Sequence, residues 1–363
     1  ATLHREAQDL VRDEPELAAF AAIRLGDVAA TRGPTPGADP AEEATAWYAQ
    51  ALSLGEKWSL ANVRMLARVG LGEVALAAGD FASAARHAAL AVQILEAGTQ
   101  DLAASEVVGA RSHRDRARVF ALGVRAAVAA GKPAEVFAFM ERARARSLLD
   151  ALGGRTRLRR QALEPGLVRA EAQARAHYTQ ALQAYREVRS ASPGRHHRKE
   201  RKAVERARAR MLELTRRVER SSRRVADASE LNVITLDEVQ ASSPADEALV
   251  LYAVLEGSSY ALVVTHEASR VVTLPGAKAL SDLCEALLTS DPDEPAKQFP
   301  EHVAAARKAL LLPLKIPASV SRLFVCPDGA LAALSWDLLL GPDERKRRTL
   351  ALVPSATVHH ALS

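Results

Sequence analysis

The stretch LFVCPDGALAALSWDLLL, residues 323–340, decides how the rear half of this chain is read. It opens inside RLFVCP, Arg322 to Pro327, a short apolar run closed by proline. Such a run suits a strand buried on both faces of an α/β sheet. Asp328-Gly329 is a turn pair, because Gly reaches φ > 0 without steric cost and Asp bonds to nearby backbone. Leu331, Leu334 and Leu338 follow that turn. Trp336 supplies a large aromatic for packing, and Cys326 sits inside the strand as a small apolar group.

Working upstream, ALVLYAVLEGSSYALVVTHEASRVVTLP, residues 248–275, alternates strand-like runs with turn residues. Strands are expected at Ala248–Leu255, Tyr260–Thr265 and Arg270–Leu274, forming a meander. Helices are expected at about Ala277–Leu288 and Glu301–Leu311, separated by a polar loop with Pro292 and Pro295. Unless other strands complete the sheet, the Leu323–Cys326 strand is expected to present an unpaired edge.

The front of the chain has a different texture. Aromatics make up only 4% of the residues and alanine is abundant, a mix that favours closely approaching helices. Three Leu-Gly pairs recur, Leu25-Gly26, Leu71-Gly72 and Leu122-Gly123, about 46 and 51 residues apart. In the middle copy Gly79-Asp80 makes the turn, and Ala84, Ala88 and Ala91 line a second helix. Gly72 is expected to let the two helices approach, and Ala84 and Ala91 to admit the next pair. The third copy runs through Gly131-Lys132-Pro133 to Val136, Met140 and Ala143, while TRGPTPGADP interrupts the first.

From about Leu158 to Ala226 two long charged helices are expected, with SASPGRHH (Ser190–His197) as their turn. Leu163, Leu167, Ala174, Tyr178, Leu182 and Tyr185 recur at helical spacing on one arm. Val204, Met211, Leu214 and Val218 do so on the other. Between Arg155 and Arg224 about 21 basic residues face about 7 acidic ones, so the remainder of the chain is net acidic. A basic helical surface contacts nucleic acid, an acidic protein face or solvent. With only Tyr178 and Tyr185 nearby, stacking of single-stranded bases is not expected.

The helix Val136–Leu152, VFAFMERARARSLLDAL, places its apolar residues on one stripe and its arginines on the other face. That stretch resembles the last repeat helix of TPR–CHAT proteins, through Glu141, Arg142, Arg144, Arg146, Leu148, Leu149, Asp150 and Leu152. Residues 71–95 likewise resemble a tetratricopeptide repeat. The 323–340 segment is similar to the CHAT signature at Pro327, Asp328, Gly329, Leu331, Leu334, Asp337 and Leu338. It departs from it at Ser335 and Trp336, where Pro and Phe are common in the family. The resemblance implies a helix entry after Asp328-Gly329, and LALVPSATV, Leu350 to Val358, looks like the family's next strand and its Pro-Ser-Ala turn.

The resemblance implies an α + α/β fold in three parts. These are TPR-like repeats at 1–152, a basic helical hairpin at 153–230, and the first part of a caspase-like CHAT domain at 231–363. It also implies a cysteine peptidase whose dyad His and Cys follow the Pro-Ser-Ala turn. Those two motifs are absent up to Ser363, so the chain, which begins at Ala1, is expected to be the non-catalytic part of something longer. The resemblance implies a protein partner in the repeat groove and a companion catalytic segment or chain. It further suggests an RNA-guided effector complex or a gasdermin-like substrate, in a bacterial defence setting.

From the residues themselves, no catalytic, cofactor-binding or metal-binding position is assigned. Cys284 and Cys326 are read as core, too far apart in sequence for a disulfide framework or zinc spacing. His359 and His360 are read as the start of a helix, and adjacent His196 and His197 as a solvated turn. No apolar run reaches the roughly 20 residues needed to span a membrane, and a charged N-terminus lacks a signal core. A cytoplasmic setting is expected.

Overall fold

The computed structural model describes residues 14–32, 39–97, 106–151, 165–191, 197–228, 233–289 and 298–362. The chain is mostly helical, with one mixed five-stranded sheet in its rear half, so the helical-then-α/β class expected from the sequence is what forms. Two compact units emerge, one of residues 1–119 with 149–231, the other of residues 120–148 with 232–363.

The first unit holds helices α1 (Pro15–Thr31), α2 (Pro40–Lys57), α3 (Ala61–Ala77) and α4 (Phe81–Ala97), the beginning of α5 (Glu106–Ala129), and the hairpin α7 (Pro165–Ala191) and α8 (Arg198–Ala228). Sequential neighbours pack: α1 on α2, α2 on α3, α3 on α4, and α7 on α8. Their turns are built as the residues ask. Gly79 takes φ 79°, its N–H bonds to the Leu76 carbonyl, and Asp80 N–H reaches back to Ala75 at 2.9 Å. This closes α3 with a left-handed glycine, a conformation costly for any residue with a β-carbon. Asp80 then opens α4, its carboxylate accepting from Ser83 N–H at 3.0 Å. Ala84, Ala88 and Ala91 are fully buried, as expected of small residues on a packed helix.

In the first and third copies the close approach falls at the glycine of the Leu-Gly pair. A β-carbon at Gly26 or at Gly70 would fall within 3.0 Å of the Tyr48 ring, so Tyr48 of α2 lies against a glycine of α1 and a glycine of α3. In the middle copy Gly70 makes room for Tyr48; in the third, Gly123 does so for Phe139. Leu25 of the first pair is exposed, whereas Leu122 is buried. Tyr48 donates its hydroxyl to Asp27 Oδ1 at 2.9 Å, and burial, followed by the Asp27 charge, pushes that phenol well above its usual range.

The hairpin folds onto the helices of its own unit. Arg208 of α8, 5% exposed, sits over the Trp58 ring at 4.9 Å and the Tyr178 ring at 5.5 Å. Arg216 donates to Ser59 Oγ and to the Lys57 carbonyl, both at 3.2 Å. Tyr185, Val204, Leu214 and Val218 are buried, and Leu167, Ala174, Tyr178, Leu182 and Met211 are half-buried. Leu163, His196 and most of the expected hairpin turn lie outside the described residues; His197 directly precedes α8.

The second unit holds the end of α5, most of α6 (Pro133–Ala151), α9 (Leu236–Ser242), β1 (Glu247–Ala253), β2 (Ser258–Thr265), β3 (Ser269–Pro275), α10 (Ala277–Thr289), α11 (Gln298–Leu310), β4 (Arg322–Cys326), α12 (Pro342–Arg347), β5 (Thr349–Leu352) and α13 (Ala356–Leu362). Sheet order is β3-β2-β1-β4-β5. The β1-β2-β3 meander is antiparallel, while β1, β4 and β5 run parallel, with Leu251 opposite Cys326 and Val325 opposite Leu352. Every residue of β1 is buried, so both faces of its strand are covered.

β5 pairs with the Leu323–Cys326 strand, so the edge foreseen for an uncompleted sheet does not arise there; among the described residues the edges are β3 and β5. One expectation for this unit needs correction. The segment after Asp328-Gly329 does not enter an α-helix. Gly329–Ala333 and Trp336–Leu339 are short 3-10 turns, a tighter winding that turns Leu331, Trp336 and Leu339 all into the core. Trp336 packs on Tyr252 with ring centroids 5.0 Å apart and donates its indole N–H to the Leu331 carbonyl at 3.0 Å.

Gly70→Ala should destabilise the first unit by about 1–3 kcal/mol, since Tyr48, held by Asp27 and flanked by Gly26, has little room to retreat. Gly79→Ala should cost about 1–2 kcal/mol through backbone strain alone, as nothing lies within 4 Å of its added carbon. Denaturant unfolding of the two variants beside the parent checks both values.

Candidate functional site

Parallel strands of an open α/β sheet usually present their chemistry at their carboxyl ends. In this sheet those are the ends of β1 at Ala253, β4 at Cys326 and β5 at Leu352. Helix α6, from the same unit, occupies them. Phe137, Met140, Glu141 and Arg144 follow i, i+3, i+4, i+7, so they share one helix face. Phe137 and Met140 are buried, and Glu141 has no exposed surface at all.

Glu141 meets the first turn of α13. Its Oε1 accepts from Ala356 N–H at 3.0 Å, and its Oε2 accepts from Thr357 N–H and Thr357 Oγ1, each at 3.0 Å. A buried carboxylate is tolerable only with such donors, and the helix start supplies them. One turn further along α6, Arg144 donates to the Cys326 carbonyl at 3.1 Å and to the Tyr252 carbonyl. It thereby spans the last residue of β4 and the penultimate residue of β1. Asp328 completes the arrangement. Its carboxylate accepts from Val254 N–H at 2.8 Å, binding the turn after β4 to the end of β1. Asp328 was expected to bond locally; instead it bonds across strands, because Gly329, at φ 54°, turns the chain away from it.

These contacts correct the expectation that the arginines of this helix project into solvent. Arg142 is exposed, but Arg144 is half-buried and engaged. Nothing is described for the side chains of Arg146, Leu148, Leu149 and Asp150, and Leu152 lies outside the described residues.

The thiol positions are unsuited to nucleophilic work. Cys326 is fully buried in β4, and its thiol is pushed up to about 12, by burial first, against which the Arg144 charge acts weakly. Cys284 is buried on α10 and burial raises its thiol also. A reactive cysteine needs the thiolate, which both sites disfavour.

His359 and His360 lie in α13, the short helix expected for them. His359 Nε2 lies 2.8 Å from Oε1 of Glu247, a buried residue at the start of β1, and its ring stacks on Phe324 at 4.0 Å. His360 bonds Ser242 of α9 through Nδ1 at 3.1 Å. Glu247 pairs in register with Arg322, four residues before Cys326, which is about 13 Å along the pleat. The imidazole partner and the thiol therefore belong to opposite ends of the strands. Among the described residues no group of three or more His, Cys, Asp and Glu is placed to hold a metal ion. Among them also, no helix is long and apolar enough to cross a membrane.

No family model and no curated protein matches this chain. What the geometry offers is a sheet whose strand ends are gripped by two ionic side chains of one helix. The sequence set the arginines opposite the apolar stripe, whereas Glu141 and Arg144 share the face of Phe137 and Met140, and their partners lie far off in sequence.

Glu141→Ala would leave the first N–H groups of α13 without their acceptor, at a cost of about 1.5–3 kcal/mol. Hydrogen exchange should show loss of protection at residues 356–358 while β1 keeps its own. The raised Cys326 thiol favours the neutral form in the fold, so its stabilising contribution is complete below pH about 9 and is lost as pH rises toward about 12. Alkylation at pH about 8 should therefore leave Cys326 unmodified in the native protein and modify it in denaturant.

Proposed function

We propose that this chain is the partner-sensing, non-catalytic part of a caspase-like peptidase of the CHAT type. In this reading residues 1–152 are TPR-like repeats that take a protein partner in their groove. The observation that carries the reading is the grip of α6 on the strand ends. The helix that resembles the last repeat helix of TPR–CHAT proteins is bonded through Glu141 and Arg144 to Tyr252, Cys326, Ala356 and Thr357. A shift of α6 on partner binding would move the carboxyl ends of β1 and β4, where a caspase-like sheet carries its chemistry.

The reacting His and Cys are then supplied by sequence outside residues 1–363 or by a companion chain. There the thiolate would attack a peptide carbonyl with backbone N–H groups stabilising the oxyanion. Bacterial defence in the cytoplasm, with an RNA-guided effector as the activator or a gasdermin-like substrate, is the setting the resemblance suggests. Burial of both Cys284 and Cys326 favours a second reading, a protein-binding scaffold without catalysis.

The test is to label the protein encoded by the complete reading frame with an alkyne-tagged iodoacetamide at neutral pH and to map the modified peptides. The peptidase reading expects a hyper-reactive cysteine outside residues 1–363, with Cys284 and Cys326 silent. A protein with no hyper-reactive cysteine is the scaffold.

A further inference from the structure

Helix α8 carries a second feature, which stands apart from the peptidase reading. Lys199, Lys202, Arg206, Arg210, Arg217 and Arg220 are separated by steps of three, four, four, seven and three residues. At about 100° per residue they fall within an arc of roughly 80°. All six are exposed. Val204, Ala207, Leu214 and Val218 lie on the buried side of the same helix, and their centre is roughly 115° away from that of the arc. The cations thus form one solvent-facing stripe about 32 Å long. Glu213 falls in the same arc and pairs with Arg210 at 2.8 Å. Lys199, Lys202, Arg206 and Arg217 form no ion pair with any described residue.

We propose that this stripe binds the phosphate backbone of a nucleic-acid duplex, without reading sequence. Three physical points select that partner. The stripe carries no aromatic or large apolar side chain, whereas protein interfaces rely on such anchors at their cores. The same lack removes base stacking, which single strands require. Its length matches about one helical turn of a duplex, 34–36 Å, so several cations can meet successive phosphates. Attraction then comes from counterion release. The stripe is held straight and presented outward because Arg208 and Arg216 of the same helix are fixed by Trp58, Tyr178, Ser59 and Lys57.

The experiment is fluorescence anisotropy of the whole 363-residue chain with a labelled duplex RNA and a labelled duplex DNA of about 24 base pairs, titrated across a salt series. A poly-glutamate peptide serves as the competing polyanion. Five net cations predict a slope of log affinity on log salt between about −4 and −5, alike for scrambled sequences. The variant Lys202→Glu/Arg206→Glu/Arg217→Glu should cut affinity at least tenfold at low salt and lower the slope by about three, with an unchanged circular dichroism spectrum. Glu213→Gln removes the one acid of the stripe and should tighten binding, a gain that misfolding cannot mimic. Whichever duplex binds more tightly names the source. Absence of binding at low salt overturns the proposal, as does indifference to the triple reversal. Displacement by poly-glutamate at equal charge concentration also overturns it, in favour of an acidic protein partner.

Discussion

A carboxylate with no exposed surface lies in the middle of helix α6, and much of the sheet unit follows from how its charge is satisfied. Burying Glu141 alone would cost several kcal/mol, so the fold must bring donors to it. The start of α13 brings three, two backbone N–H groups and the Thr357 hydroxyl. The positive end of a helix is also the favoured place for a negative side chain. Arg144, one turn away, then donates to two carbonyls at the ends of β1 and β4. One helix thereby fixes the ends of β1 and β4 and the start of α13 at once, and residues 120–148 join the sheet rather than the helices that precede them in sequence.

The first unit depends on a different economy. Rings are scarce in this chain, so each one interlocks several helices. Tyr48 lies against Gly26 and Gly70, and its hydroxyl is tied to Asp27. Trp58 and Tyr178 take the buried guanidinium of Arg208 between them. Alanine-rich helices approach closely but interlock poorly. A few aromatic wedges seated on glycine set the spacing that small side chains leave loose.

These two arrangements bear on function in different ways. The exposed strand β5 and the short helix α13 lie at the free edge of a sheet whose parallel strands run β1, β4, β5. Further strands could add there. Strand ends held by Glu141 and Arg144 could not move independently of α6. The basic face of α8 belongs to the other unit and is presented by residues that have no part in that grip.

How much was legible in the residues can be argued element by element. The meander, β4, α10 and both arms of the hairpin were readable, because alternation, helical spacing and turn chemistry are local and strong at those places. The 3-10 turns after Asp328 were not. Leu331, Leu334 and Leu338 satisfy a helical period, and only contact with Tyr252 and the sheet selects the tighter winding that buries Trp336. Nor did the sequence single out Gly70, which matters because the Tyr48 ring of another helix lies against it. By itself, the sequence determined which residues are helical, which are extended, which side of each is apolar, and that α8 bears a stripe of charge. Only the tertiary structure decided where long-range polar bonds go. It sent Asp328 to Val254, Glu141 to Ala356 and Thr357, and Arg144 to two strand ends. Such partners lie 74 to 216 residues apart, and a charged side chain carries no local sign of which distant backbone group it will satisfy.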